Sequence, residues 1–148
     1  MANPMYGQNK ADSRVGQVTN KAIAVNLGTL GDNVVLTATD MITAGAIYCD
    51  PAAARNATTP TAALLIAGME TYTGGSANVG DSFEFSLINA GSNGDDETIT
   101  VVAGTGVTII GFTDVENNST THDAFSGGSG LFRVQMTGAA TCDVIRLA

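Results

Sequence analysis

The sequence predicts an all-β protein: an antiparallel β-sandwich of jelly-roll type with one short helix and an extended N-terminal arm. Three observations carry that expectation. Of 148 residues, 18 are glycine and none is tryptophan, with threonine and alanine abundant, a composition suited to pleated strands joined by frequent turns. Short alternations of apolar and polar residues recur with glycine or asparagine between them, the rhythm of a sandwich or barrel. The length is that of one domain, and 44% hydrophobic residues can bury one core without a metal or a disulfide.

Residues 1–21 contain Pro4, Gly7 and Gly16 and follow neither a helical nor a strand period, so they read as an arm outside the core. The sandwich domain then spans residues 22–148. Ile23, Val25 and Leu27 alternate with Ala22, Ala24 and Asn26, the period of a half-buried strand. After a turn over Gly28 to Asp32, Val34, Leu36 and Ala38 alternate with Val35, Thr37 and Thr39 in a second strand, and Ala46 to Cys49 makes a third. Thr59 followed by Pro60 is a helix start, because a threonine cap accepts an orphan amide bond and proline fits the first helical position. That helix is expected to run to about Met69, to use Leu65, Met69 and Tyr72 as its inner stripe, and to weaken at Gly68.

Beyond Gly74 and Gly75 the strands return. Phe83, Phe85 and Leu87 share one face opposite Glu84 and Ser86; Ile99 and Val101 share another opposite Thr98 and Thr100. Val107 to Phe112 is mostly apolar, Phe132, Val134 and Met136 oppose Arg133 and Gln135, and Cys142 to Leu147 closes the chain. About eight strands result, enough for two packed sheets. Thr113 to Gly130 is polar and is expected to be an exposed loop with at most a short strand near Ala124 and Phe125.

The net charge of −8 works against phosphate binding, so nucleic acid is not an expected partner. The charge is uneven. Residues 1–21 carry Lys10, Arg14 and Lys21 against Asp12, whereas residues 22–148 hold three basic and 13 acidic groups. The opening residues lack the apolar run of a secretory signal, no window approaches the roughly 20 apolar residues of a bilayer span, and a membrane is not expected as a partner. Cys49 and Cys142 lack metal-ligand spacing and read as small buried residues, since cytosolic synthesis keeps thiols reduced.

Chemistry has few places to reside. His122 is the sole histidine and sits in the polar loop, so any histidine metal site or triad would have to use it; an exposed loop residue is the simpler reading. Asp95, Asp96 and Glu97 form the densest acidic cluster but lack the spacing of a calcium loop, and read as a solvated hairpin connection turned by Asn93-Gly94. Asp81 and Glu84 are a carboxylate pair that nothing places across a cleft. Ser129 in Gly-Gly-Ser-Gly reads as a turn, and Gly104-Thr105-Gly106 as a tight hairpin with no helix behind it. No catalytic residue, metal or cofactor is expected.

Four strings carry a resemblance: Thr-Pro-Thr-Ala-Ala-Leu-Leu-Ile-Ala from Thr59, Val-Gly-Asp-Ser-Phe-Glu-Phe-Ser-Leu-Ile-Asn from Val79, Val-Val-Ala-Gly-Thr-Gly-Val-Thr-Ile-Ile-Gly from Val101, and Gly-Leu-Phe-Arg-Val-Gln-Met-Thr from Gly130. Over roughly the C-terminal 90 residues the chain resembles the head decoration, or cement, proteins of tailed bacteriophages. The resemblance implies a β-sandwich, often a homotrimer, seated on the outer capsid surface of the virion, made in the host cytoplasm and without catalytic residues. The partner it implies is the major capsid protein. The loop from Thr113 to Gly130 is longer and more polar than that pattern. Residues 1–21 supply the attachment in this reading, with Met5, Tyr6, Lys10, Arg14 and Lys21 as the capsid-binding residues and three arms per trimer acting at high effective concentration. The alternative expectation is a receptor- or carbohydrate-binding module of a head or tail fibre.

Overall fold

The computed structural model describes residues 25–30, 32–91, 97–116 and 128–148. The arm with Met5, Tyr6, Lys10, Arg14 and Lys21 lies outside the described residues, as do Asn93 to Asp96 and His122.

Ten strands and two helices are described: β1 (Val25–Leu30), β2 (Val34–Val35), α1 (Ala38–Thr43), β3 (Ala46–Pro51), β4 (Arg55–Thr58), α2 (Ala62–Thr73), β5 (Ser82–Asn89), β6 (Ile99–Val102), β7 (Val107–Ile110), β8 (Asp114–Val115), β9 (Gly128–Gly138) and β10 (Thr141–Arg146). They form a six-stranded sheet in the order β1-β3-β5-β9-β10-β7 and a four-stranded sheet in the order β2-β4-β6-β8. Odd-numbered strands up to β9 belong to the first sheet, and even-numbered strands up to β8 to the second. The chain therefore winds from sheet to sheet.

That winding overturns the antiparallel all-β sandwich. From β1 to β6 each strand is followed by one in the opposite sheet and meets its in-sheet neighbour only after a full coil, running the same way. The pairs β1/β3, β3/β5, β2/β4 and β4/β6 are accordingly parallel, and β10 also pairs with β7 in parallel. Antiparallel pairing is confined to β5/β9, β9/β10 and β6/β8. The fold is mixed α/β, with two mixed sheets and two helices. For the same reason Gly104-Thr105-Gly106 is not a hairpin turn: it carries the chain from β6 in one sheet to β7 in the other. Residues 90–98 likewise join β5 and β6, which do not pair.

The predicted inward faces are where burial occurs. Phe83, Phe85 and Leu87 on β5 and Phe132, Val134 and Met136 on β9 point into one core, in antiparallel register that sets Phe85 opposite Phe132. Their rings stack at 5.3 Å between centroids. Ile99, Val101 and Val115 of the second sheet join that core, with Leu65 and Met69 of α2. Each large side chain buried there contributes about 2 kcal/mol of apolar transfer. Asn89, fully buried at the end of β5, ties the sheets together: its amide donates to the carbonyls of Glu97 and Val115, and its carbonyl oxygen accepts from the Gly91 amide.

Several local expectations change. Gly28 to Leu30, expected in a turn, belong to β1; Asp114–Val115 and Gly128 to Gly130, expected in the exposed loop with Ser129 in a turn, belong to β8 and β9, and Val115 is buried. The expected second strand stops at Val35, and Ala38–Thr43 is helical instead. Thr37 caps that helix by accepting from the Asp40 amide at 3.0 Å, while its hydroxyl donates to the Asp40 carboxylate at 2.7 Å. The longer helix is capped by Thr61 rather than Thr59, and ends at Gly74 in the left-handed conformation rather than near Gly68.

Candidate functional site

Strands β2, β4 and β6 run parallel, and their carboxyl ends open on one side of the second sheet. There β2 leads through Leu36 and Thr37 into α1, and β4 leads through Thr59, Pro60 and Thr61 into α2. Crevices outside the carboxyl ends of parallel strands are where α/β sheets commonly bind ligands, because the chain leaves each strand there to enter a helix. Between the two helix starts lies an open groove of about 700 Å³.

Close backbone packing shapes its floor. Thr59, 1% exposed, accepts from the Gly104 amide at 2.9 Å through its hydroxyl and donates its own amide to the Val102 carbonyl at 2.8 Å. A Cβ on Gly104 would stand 2.5 Å from the Thr59 and Pro60 carbonyl oxygens, so a side chain there would push the floor apart. Gly68 plays the same part between the helices, where a Cβ would meet Ile42 Cδ1 at 2.7 Å. The walls are threonine methyls and hydroxyls with Ala38 and Ala67, and Val35 and Leu64 stand on the rim at 67% and 58% exposure.

Among the described residues, none that lines the groove is charged. At the start of α2 the Ala62 amide donates to the Thr105 carbonyl at 2.9 Å and the Leu64 amide to the Thr61 hydroxyl at 3.3 Å. The groove offers shape, methyl groups and hydroxyls.

The residues singled out in the sequence scatter. Asp81 accepts from the Asn78 amide at 2.9 Å in a turn, and Glu84 pairs with Arg133 across β5 and β9 at 2.5 Å. Glu97 is buried, not part of a solvated connection as expected. Among the described residues no group of three or more His, Cys, Asp or Glu side chains could hold a metal ion, and no helix is long and apolar enough to cross a membrane. Cys49 and Cys142 are both free and buried; burial pushes the Cys49 thiol up to about 11, and burial followed by the charge of Asp143 pushes Cys142 up. The Arg146 guanidinium lies 4.9 Å from the Phe132 ring centroid and donates to the carbonyls of Asp114, Ser129 and Ala148. Burial lowers its pKa.

The groove was not visible as a site in the sequence. Its one local signal is Thr37 followed three residues on by Asp40, the spacing of a helix cap. No family model, curated protein or solved structure matches the chain.

Proposed function

We propose that the chain is a virion structural protein, a capsid decoration or cement protein that binds the outer capsid surface and stabilises contacts between capsomers without catalysis. The observation that carries this reading is the division of charge. Both lysines of the chain, Lys10 and Lys21, and one arginine, Arg14, fall in the first 21 residues. Of the basic groups in the body, Arg133 is held by Glu84 and Arg146 by backbone carbonyls. An acidic body carrying a short basic segment suits a protein that sits on a surface and is tethered to it by that segment. The tether's residues are Met5, Tyr6, Lys10, Arg14 and Lys21, the partner is the major capsid protein, and a homotrimer multiplies three weak tethers into tight attachment.

An uncharged groove lined by hydroxyls supports a second reading, a receptor- or carbohydrate-binding module of a phage fibre. Copy number separates the two. Mass spectrometry of purified virions is expected to find the chain at hundreds of copies; a few copies per particle, with retention on a glycan array, would favour the fibre.

A further inference from the structure

We propose that Arg146 is a latch between the two sheets. Its guanidinium holds β8 of the four-stranded sheet to the start of β9 in the six-stranded one, and the corner it holds opens as a unit of its own while the rest of the fold stays shut.

Arg146 is the last residue of β10 and pairs with Phe132, so by alternation its side chain follows those of Cys142 and Val144 toward the space between the sheets. There it reaches three separate stretches of backbone. Nη1 donates to the Asp114 carbonyl of β8 at 3.2 Å, Nη2 to the Ser129 carbonyl of β9 at 3.2 Å, and Nε to the Ala148 carbonyl. The guanidinium carbon lies 4.9 Å from the centroid of the Phe132 ring. A planar fork with donors on three nitrogens serves three acceptors at once, whereas an ammonium carries all its donors on one atom. The slot is cut for that fork. A Cβ on Gly130 would stand 2.6 Å from Nη1 and 2.9 Å from Cζ, and one on Gly111, where φ is +96°, would stand 3.0 Å from Arg146 Cβ.

Apolar burial contributes little to the corner that Arg146 holds. β8 is two residues long and meets β6 through two pairs, Ile99 with Val115 and Thr100 with Asp114. Val115 is buried, but Phe112 and Leu147 are 63% and 42% exposed, and Glu116 and Ser129 are exposed as well. The attachment is polar instead. Asn89 of β5 donates to the Val115 carbonyl at 3.0 Å, so both consecutive carbonyls of β8 are bound by side chains of the six-stranded sheet. A stretch tied by polar bonds, with few buried apolar contacts, opens at a lower free energy than the whole molecule.

The test is hydrogen exchange of the full chain, followed amide by amide by NMR at increasing urea below the unfolding transition. Val101, Leu131 and Leu147 report the corner, since their amides donate to the carbonyls of Thr113, Ala148 and Leu131; Leu65 and Met136, bonded to Thr61 and Asp81, report the rest. The corner amides are expected to exchange through an opening that depends weakly on urea, because it exposes little surface, and the other two only with the steep dependence of global unfolding. In Arg146→Met and Arg146→Lys the corner amides are expected to exchange about tenfold faster or more, the worth of one bond to a charged group, with the shallow urea dependence kept. Gly130→Ala removes no donor or acceptor and is expected to open the same three amides by pushing the guanidinium off its carbonyls. Should that variant not fold, the two Arg146 variants decide alone. Corner amides that share the steep urea dependence of Leu65 and Met136 in the native chain would overturn the latch. So would corner protection unchanged in both Arg146 variants, or protection restored in full by lysine.

Discussion

Asn89 satisfies three backbone groups at a point where both sheets meet. Asn89→Ala strands two carbonyls and an amide away from water and is expected to cost about 3 kcal/mol, read as a shift of the urea midpoint at unchanged slope. Cys49 gives a pH signature. In the unfolded chain its thiol titrates near 9.0, whereas burial raises it to about 11 in the fold, so the folded state holds the proton more tightly. Its contribution is therefore complete below about pH 9 and is lost as the pH climbs through that interval toward 11. The chain is expected to melt at falling temperature from pH 9 to 11, and Cys49→Ala should flatten the slope. An unchanged slope would place the alkaline sensitivity elsewhere, with Cys142 the next thiol to replace.

At the scale of elements, the groove depends on caps and close contacts more than on side-chain volume. Thr37→Ala is expected to destabilise by about 1 kcal/mol through loss of its bond from the Asp40 amide. Gly104→Ala should cost about 2 kcal/mol, because the new methyl meets two backbone carbonyls that have no rotamer to yield. Both are measurable by chemical denaturation. The same elements show what was legible in the sequence. The inward faces of β5, β6 and β9 are readable, since alternation at period two reports one-sided burial whatever the partner strand. The inner stripe of α2, with Leu65 and Met69 buried and Tyr72 partly so, is readable for the same kind of reason. Direction of pairing is not, because the same alternation serves parallel and antiparallel ladders. Neither is α1: Val34, Leu36 and Ala38 alternate as a strand would, and a threonine cap with Asp40 three residues on outweighs that pattern over only six residues. β4, Arg55–Thr58, has a single buried apolar residue, Ala57, and leaves almost no trace.

For the molecule as a whole, Cys49 and Cys142 are free and the apolar faces of the two sheets supply the core, so stability is expected to be insensitive to chelator and reductant. Unfolding by either near room temperature would overturn that. Deleting residues 1–21 removes nothing from the described core, so the melting temperature should hold while decoration of empty shells is lost. Replacing Lys10, Arg14 and Lys21 together should weaken attachment in a salt-dependent way, by up to roughly 1 kcal/mol per exposed pair. Full decoration by the shortened chain would move the contact onto the folded body. The position of β10 has a further consequence, for synthesis. It is the last described strand in chain order, yet it lies inside the six-stranded sheet, joining β9 to β7. A nascent chain that has not yet exposed Thr141–Arg146 has no template on which to seat β7, so the sheet cannot close early. Ribosome-bound chains halted before Thr141 should stay open to protease, and the six-stranded sheet should close only once β10 emerges.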